Sequence, residues 1–226
     1  SVTLVDMNVE AGEQQAQALG EKAEFVKLDV TDEQAAEQFF QDVVAKHGSL
    51  HGLVNCAGIG PSAKVIAKES VHDLAMFSKT LQINVTGTFN MLRFAAEAMS
   101  KNTVEADDED RGVIVNTASV AAFDGQIGQA AYSASKGAVV AMTLPIAREL
   151  ARHAIRIMVI APGIMETPML KGLPQNVQDA LGQMVPYPSR LGRPEEFARL
   201  VAHIAENSYL NGEVIRLDGG IRMAAK

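Results

Sequence analysis

Gly112-Val-Ile-Val-Asn-Thr117, the helical pattern over residues 130–153 and Arg156-Ile-Met-Val-Ile-Ala161 follow one another along the chain. Both apolar runs have the length of buried strands and little polar alternation, so helices are expected on both faces, as in a parallel sheet. A strand, a crossing helix and a second strand make one right-handed unit of an open α/β sheet. The rhythm continues outward. Strand candidates lie at 2–5, 24–28, 52–55 and 213–217, and residues 73–100 and 194–206 carry helical periodicity. Thr31 with Gln34 reads as a capping box, Phe39, Phe40, Val43 and Val44 form an apolar stripe, and Gly48 supplies the stop. Pro194 opens the last helix, followed by two acids. The expected fold is α/β, a doubly wound parallel sheet forming a single domain over residues 1–226.

Composition bounds the function. The chain has 226 residues, 20 Lys and Arg against 27 Asp and Glu, a net charge of −7 and a pI near 5.3, which argues against nucleic acid as the main partner. No apolar run reaches the ~18 residues of a membrane helix, so no membrane partner is expected. Cys56 is the only cysteine, which excludes internal disulfides and Cys-cluster metal sites and fits a reducing compartment. The acids of Glu105-Ala-Asp-Asp-Glu-Asp110 read as a solvated loop, and no metal site is expected. The acidic pI and the lack of an Arg-rich leader lean to a cytoplasmic location, with the mitochondrial matrix as the alternative.

The chemistry centres on Tyr132-Ser-Ala-Ser-Lys136. A spacing of four on a helix puts the phenol and the ammonium on one face, where the cation is expected to lower the phenol pKa and suit it to acid/base work. Ser119 follows the strand 112–117, at the carboxyl end where open sheets place their ligands, and its hydroxyl can donate to a carbonyl oxygen. Asn84, polar within an apolar helix, is expected at a helical break, holding a water behind Lys136. Each residue also has a plainer use: Ser119 as a strand end, Tyr132 as helix packing, Lys136 as surface charge, Asn84 as a partner of its own backbone. Four such accidents at one side of one sheet are improbable together.

Cofactor signals are incomplete. Asp6 closes a strand with no Arg or Lys next to it, which suits a ribose diol and favours NAD over NADP. Asp29-Val30 follows the next strand and faces an adenine site, and Asn55-Cys56-Ala57-Gly58 offers a small-residue turn for close backbone approach. Either acid alone reads more readily as a helix cap. No glycine-rich phosphate loop precedes Asp6. The natural protein is therefore expected to carry ~30 more residues upstream, a first strand, glycine loop and helix that this chain lacks.

These motifs resemble the short-chain dehydrogenase/reductase family, a Rossmann-like fold. Asn55-Cys-Ala-Gly58 resembles its Asn-Asn-Ala-Gly turn, Asn84, Ser119, Tyr132 and Lys136 match its catalytic tetrad, and Pro162-Gly163 with Thr167 matches its nicotinamide segment. Gly125-Gln-Ile-Gly-Gln-Ala-Ala-Tyr132, Pro186-Tyr-Pro-Ser-Arg-Leu-Gly192 and Leu210-Asn-Gly-Glu-Val-Ile-Arg-Leu-Asp-Gly219 resemble the type II 3-hydroxyacyl-CoA dehydrogenase branch, also 17β-hydroxysteroid dehydrogenases, as does an inserted loop near 102–111. The resemblance implies reversible NAD-dependent oxidation of a 3-hydroxyacyl-CoA to the 3-ketoacyl-CoA. It implies NAD contacts at Asp6, Asp29, Val30, Cys56, Met165 and Thr167. It makes Tyr132 the base, puts Lys136 on the nicotinamide ribose, gives the substrate oxygen to Ser119 and assigns Gln126 to the substrate side. It also implies a homotetramer.

Rival readings are a 3-oxoacyl-carrier-protein reductase, a hydroxysteroid or other secondary alcohol dehydrogenase, and an idle binding or scaffold subunit. The apolar residues of 165–185, namely Met165, Met169, Leu170, Leu173, Leu181, Met184 and Val185, read either as a flap over an acyl chain or as an ordinary amphipathic helix.

Overall fold

The structure is a computed structural model that describes residues 1–104, 110–167, 170, 172 and 174–225. In chain order the strands are β1 (Val2–Asp6), β2 (Ala23–Lys27), β3 (Gly52–Asn55), β4 (Gly112–Thr117), β5 (Ile155–Pro162) and β6 (Val214–Leu217), each within a residue or two of its sequence reading. All pairings are parallel. The described strands form two pieces, β1 with β2, and β3, β4, β5, β6 in that order, with no pairing between β1 and β3. Register aligns the carboxyl ends: Asn55 lies opposite Asn116, Thr117 opposite Ile160, and Pro162 opposite Leu217.

Two faces of this sheet are covered. Phe39, Phe40 and Val43 of α2 (Glu33–His47) and Met91, Leu92, Ala95 and Met99 of α4 (Thr88–Ser100) pack with Ile114, Ile155 and Ile157. Val139 of α5 (Ala130–Leu150) packs with Val159 and Ala161. The alternate residues Val115, Met158 and Ile160 pack instead against Ile204 of α7 (Pro194–Glu206). Period-two alternation along β5 therefore sends successive side chains to opposite helix layers, which makes the sheet doubly wound.

Local details both depart from and follow the sequence expectations. Asp32, not Thr31, caps α2: its carboxylate accepts from the Ala35 N–H at 3.0 Å, and an anion there also opposes the positive helix end. Thr31 instead donates its hydroxyl to Asp29 at 2.8 Å. The helix α1 (Val9–Leu19), capped by Asn8 and stopped at Gly20, was missed in sequence, and it buries only Gly12. Residues 73–100 are broken as expected, into α3 (Leu74–Leu81), a π-helical stretch Gln82–Gly87 and α4. Of the acid tract, Asp110 pairs with the buried Arg156 at 2.5 Å, and residues 105–109 lie outside the described residues.

Candidate active site

At the carboxyl end of β4, the Ala118 N–H donates to the Ile160 carbonyl at 2.8 Å and the chain then leaves the sheet. Ser119 begins a single 3₁₀ turn, Val120–Ala122, and its hydroxyl oxygen accepts from the Ala121 N–H at 3.1 Å. The same hydroxyl reaches the phenol of Tyr132, which stands in the first turn of α5. Lys136, one turn on, is buried at 5% exposure, with its Nζ 5.9 Å from the centre of the tyrosine ring. Ser119, Tyr132 and Lys136 are thus brought together.

Asn84 completes the group from the π-helical stretch. One extra residue in that turn directs its fully buried amide out of the helix, a device π-bulges often serve at functional sites. Asn84 Oδ1 accepts from the Ile59 N–H at 2.8 Å, and Nδ2 donates to the Ile59 carbonyl at 2.8 Å and to Ser135 Oγ at 2.9 Å. A Cβ on Gly58 would stand 3.1 Å from Asn84 Oδ1 and 3.5 Å from Lys136 Nζ, so the β3 turn, the π-helical stretch and α5 converge. Gly60 does the same for the tyrosine: a Cβ there would lie 3.5 Å from the Tyr132 ring. Ile59, Gly60 and Ser135 were missed in sequence, their partners being distant along the chain.

The electrostatics reverse one expectation. Burial pushes the Tyr132 phenol up, more than the hydrogen bond with Ser119 draws it down. Spacing predicted a phenol acidified by Lys136. That fails because the Lys136 ammonium donates to the Thr117 carbonyl at 2.8 Å, and burial lowers Lys136 itself to about 8. Cys56 is solvent-exposed, yet protein crowded round its sulfur raises the thiol, against a weaker pull from the Thr117 hydroxyl at 3.7 Å.

The remaining predicted residues lie along the strand ends. Asp6 accepts from the Asn8 N–H at 2.8 Å and Asp29 from the Thr31 N–H at 2.9 Å; neither is the helix cap, a role taken by Asn8 and Asp32. Register sets Lys27 opposite Asp6, a cation that the chain neighbours of Asp6 did not reveal. Val30 packs against Gly87 of the π-helical stretch, where a Cβ would come within 2.6 Å of its methyl group. Asn55 donates to Asn116 Oδ1 at 2.9 Å, which makes it a sheet-end brace, with Cys56, Ala57 and Gly58 following it. Gly163 donates to the Leu217 carbonyl at 2.9 Å, and a side chain there would meet the Asp218 backbone at 2.9 Å. Beyond Pro162, Met165 bridges to Gly192, and Thr167 Oγ1 accepts from the Leu170 N–H at 3.4 Å. Gln126 donates its amide to the Ala224 carbonyl at 3.0 Å, so the carboxyl-terminal residues hold it.

A cavity of about 230 Å³ lies behind Met165, lined by Ile164, Val185, Pro188, Gly192 and Leu217, and no member of the Tyr132 group reaches it. Within 165–185, Gln175–Gln183 form the helix α6 and Val185 is buried, whereas Met169 and Leu173 lie outside the described residues. Among the described residues no cluster of metal-binding side chains occurs, and no helix is long and apolar enough to cross a membrane.

A dinucleotide suits the donor set at these strand ends. The Asp6 carboxylate can accept from a ribose diol, Lys136 keeps N–H groups beyond the one given to Thr117, and Ala57 with Gly58 leaves backbone open to close approach.

Comparison with known proteins agrees along the chain's whole length. The family model described as enoyl-(acyl carrier protein) reductase, of the short-chain dehydrogenase/reductase type, matches residues 1–222. The 3-hydroxyacyl-CoA dehydrogenase type-2 of Drosophila melanogaster is 52% identical over 225 residues, 99% of this chain and 88% of the relative. Its Homo sapiens namesake is 50% identical over 99% of the chain and 86% of the relative. A 3-oxoacyl-[acyl-carrier-protein] reductase of Thermotoga maritima is 35% identical over 95% of the chain and 83% of the relative. The crystal structure of 3-hydroxyacyl-CoA dehydrogenase type-2 from Mycobacterium avium superposes with a TM-score of 0.91 at 35% identity, covering all of this chain and 87% of that one.

Proposed function

The chain belongs to the short-chain dehydrogenase/reductase family and is an oxidoreductase, and we propose that it interconverts a 3-hydroxyacyl-CoA and the 3-ketoacyl-CoA with NAD. The observation that carries the reading is the convergence of Ser119, Tyr132, Lys136 and the braced Asn84 at one end of the sheet. Half of all positions shared with the type-2 dehydrogenases favours their substrate class over that of the carrier-protein reductase.

In this mechanism Ser119 donates to the substrate oxygen and holds it beside the Tyr132 phenol. During oxidation the alcohol proton passes to Tyr132 as the carbinol carbon gives up hydride; during reduction Tyr132 returns the proton. A bound nicotinamide supplies the hydride acceptor or donor. Lys136 and the backbone of Ala57 and Gly58 would hold its ribose, with Asn55, Cys56, Pro162, Gly163, Met165 and Thr167 along the nicotinamide side and Asp6, Asp29 and Val30 at the adenosine end. Because burial raises the phenol, Tyr132 stands protonated at neutral pH and is ready as the acid for reduction. Alkaline pH then favours oxidation.

The resemblance extends the proposal to a homotetramer, supported by the exposed Phe89 and Leu144 on the long helices α4 and α5, and the acidic pI extends it to a cytoplasmic location. Lys27 opposite Asp6 favours a second reading, in which a 2′-phosphate is accepted and NADP is used. Turnover of 3-hydroxybutyryl-CoA with each nicotinamide decides between them. The proposal expects NAD to be preferred and Tyr132→Phe to abolish turnover while dinucleotide affinity stays nearly unchanged. Preference for NADP, for a steroid or for a carrier-protein thioester overturns it.

A further inference from the structure

Arg216 of β6 stands outside the catalytic group, yet its bonds run both to the segment that continues from Ser119 and to the carboxyl-terminal residues. Nη2 donates to Asp124 Oδ2 at 2.6 Å and to the Ile221 carbonyl at 3.0 Å, Nε donates to Asp218 Oδ2 at 2.8 Å, and the guanidinium lies 5.3 Å from the centre of the Phe123 ring. Phe123 and Asp124 continue directly from the 3₁₀ turn that Ser119 opens: both donate their N–H groups to the Val120 carbonyl, at 2.9 and 2.8 Å. Two residues further, Gln126 and Ile127 donate to the carbonyls of Ala224 and Ala225, each at 3.0 Å. The carboxyl-terminal residues are anchored in turn by the fully buried Ile221 and by Arg222, which donates to Asp218 at 3.2 Å.

We propose that Arg216 is a positioning residue, clamping residues 119–127 to the carboxyl-terminal residues 218–225 so that Ser119 keeps its place beside Tyr132. The inference rests on the reading of Ser119 as the group that holds the substrate oxygen. The physical argument is that the 3₁₀ turn spans only three residues, so its own hydrogen bonds fix its winding but not the direction of the chain that leaves it, which is set from outside. Asp124 is the polar handle by which β6 holds that turn. A planar guanidinium that reaches two carboxylates and a carbonyl through separate N–H groups fixes direction as well as distance, which a lysine ammonium cannot reproduce.

The experiment compares Arg216→Met, Arg216→Lys and Asp124→Asn in the full chain. Three readouts are taken: kcat and KM for 3-hydroxybutyryl-CoA, NADH affinity, and hydrogen exchange at the amides of Ala121, Asp124 and Ile127. Arg216→Met is expected to lower kcat roughly tenfold to a hundredfold, the scale of a misplacement of about 1 Å, with NADH affinity unchanged and faster exchange at all three amides. Arg216→Lys restores only part of kcat. Asp124→Asn is milder than Arg216→Met, and the double variant Arg216→Met with Asp124→Asn is no worse than Arg216→Met alone. A lowered Tm with unchanged kcat, or unaltered exchange in Arg216→Met, overturns the clamp. If the unmodified chain fails to turn over the thioester, the functional reading falls, while amide exchange still decides whether Arg216 holds the turn.

Discussion

Replacing Lys136 with methionine exchanges a buried ammonium for an apolar side chain of similar reach. Burial takes the lysine from 10.5 to about 8, so the folded protein holds the charged form at a cost of about 3 kcal/mol relative to water. The variant also gives up the hydrogen bond to the Thr117 carbonyl, a loss of about 1–2 kcal/mol. The net expectation is a fold stabilised by about 1–2 kcal/mol at neutral pH together with loss of turnover. The pH dependence follows from the sign of the shift. Below about 8 both states of the native protein hold the proton and the full penalty applies. From there to 10.5 the unfolded chain retains a proton that the folded one has lost, so the native protein gains stability as pH rises, and Lys136→Met does not. Urea unfolding of both proteins at about pH 7 and about pH 9.5 measures the gap. A variant less stable than the native protein at neutral pH, or a gap that ignores pH, refutes the reasoning.

Asn84→Ala removes three hydrogen bonds and strands the Ile59 N–H, so denaturant unfolding is expected to show a loss of roughly 2–4 kcal/mol, with turnover falling alongside. Glu24, held down at about 2 chiefly by Lys46, then by His47 and Thr3, ties β2 to α2 and β1. Its contribution is full above 4.5 and disappears as pH falls toward 2, so Glu24→Gln is expected to cost about 1 kcal/mol near neutrality, after allowance for solvent screening, and nothing in strong acid. Since burial keeps the Tyr132 phenol above its ordinary range, the oxidation rate should climb with alkaline pH and the reduction rate should fall; a flat profile in both directions would remove Tyr132 from the proton transfer.

What could be read in the sequence follows from how each feature is encoded. The central strands β4 and β5 were legible because burial on both faces writes itself as near-continuous Val and Ile, whereas α1, which buries only Gly12, was missed. Asn84 stood out because an amide in an apolar helix demands a partner. Those partners, Ile59 and Ser135, lie 25 and 51 residues away and were invisible. The spacing of Tyr132 and Lys136 correctly placed both on one face but said nothing about direction, and the ammonium turned to Thr117. Cross-strand register hid Lys27 from Asp6, and 92 residues separate Arg216 from Asp124. Local chemistry is thus encoded locally, while orientation and burial are set by neighbours that only folding supplies.

The wide turn at Gln82–Gly87 also constrains how this protein can change over time. A helix advances about 100° per residue and this wide turn takes up one residue more than a regular one, so rewinding it as α-helix with every residue kept would swing α3 by about that angle about its axis relative to α4. Thr80, fully buried near the end of α3, would be carried off its packing face, while Met91 and Ala95 stayed against the sheet. The irregular winding therefore holds the phase between α3 and α4, and a change that regularises it without removing a residue displaces α3 as a whole.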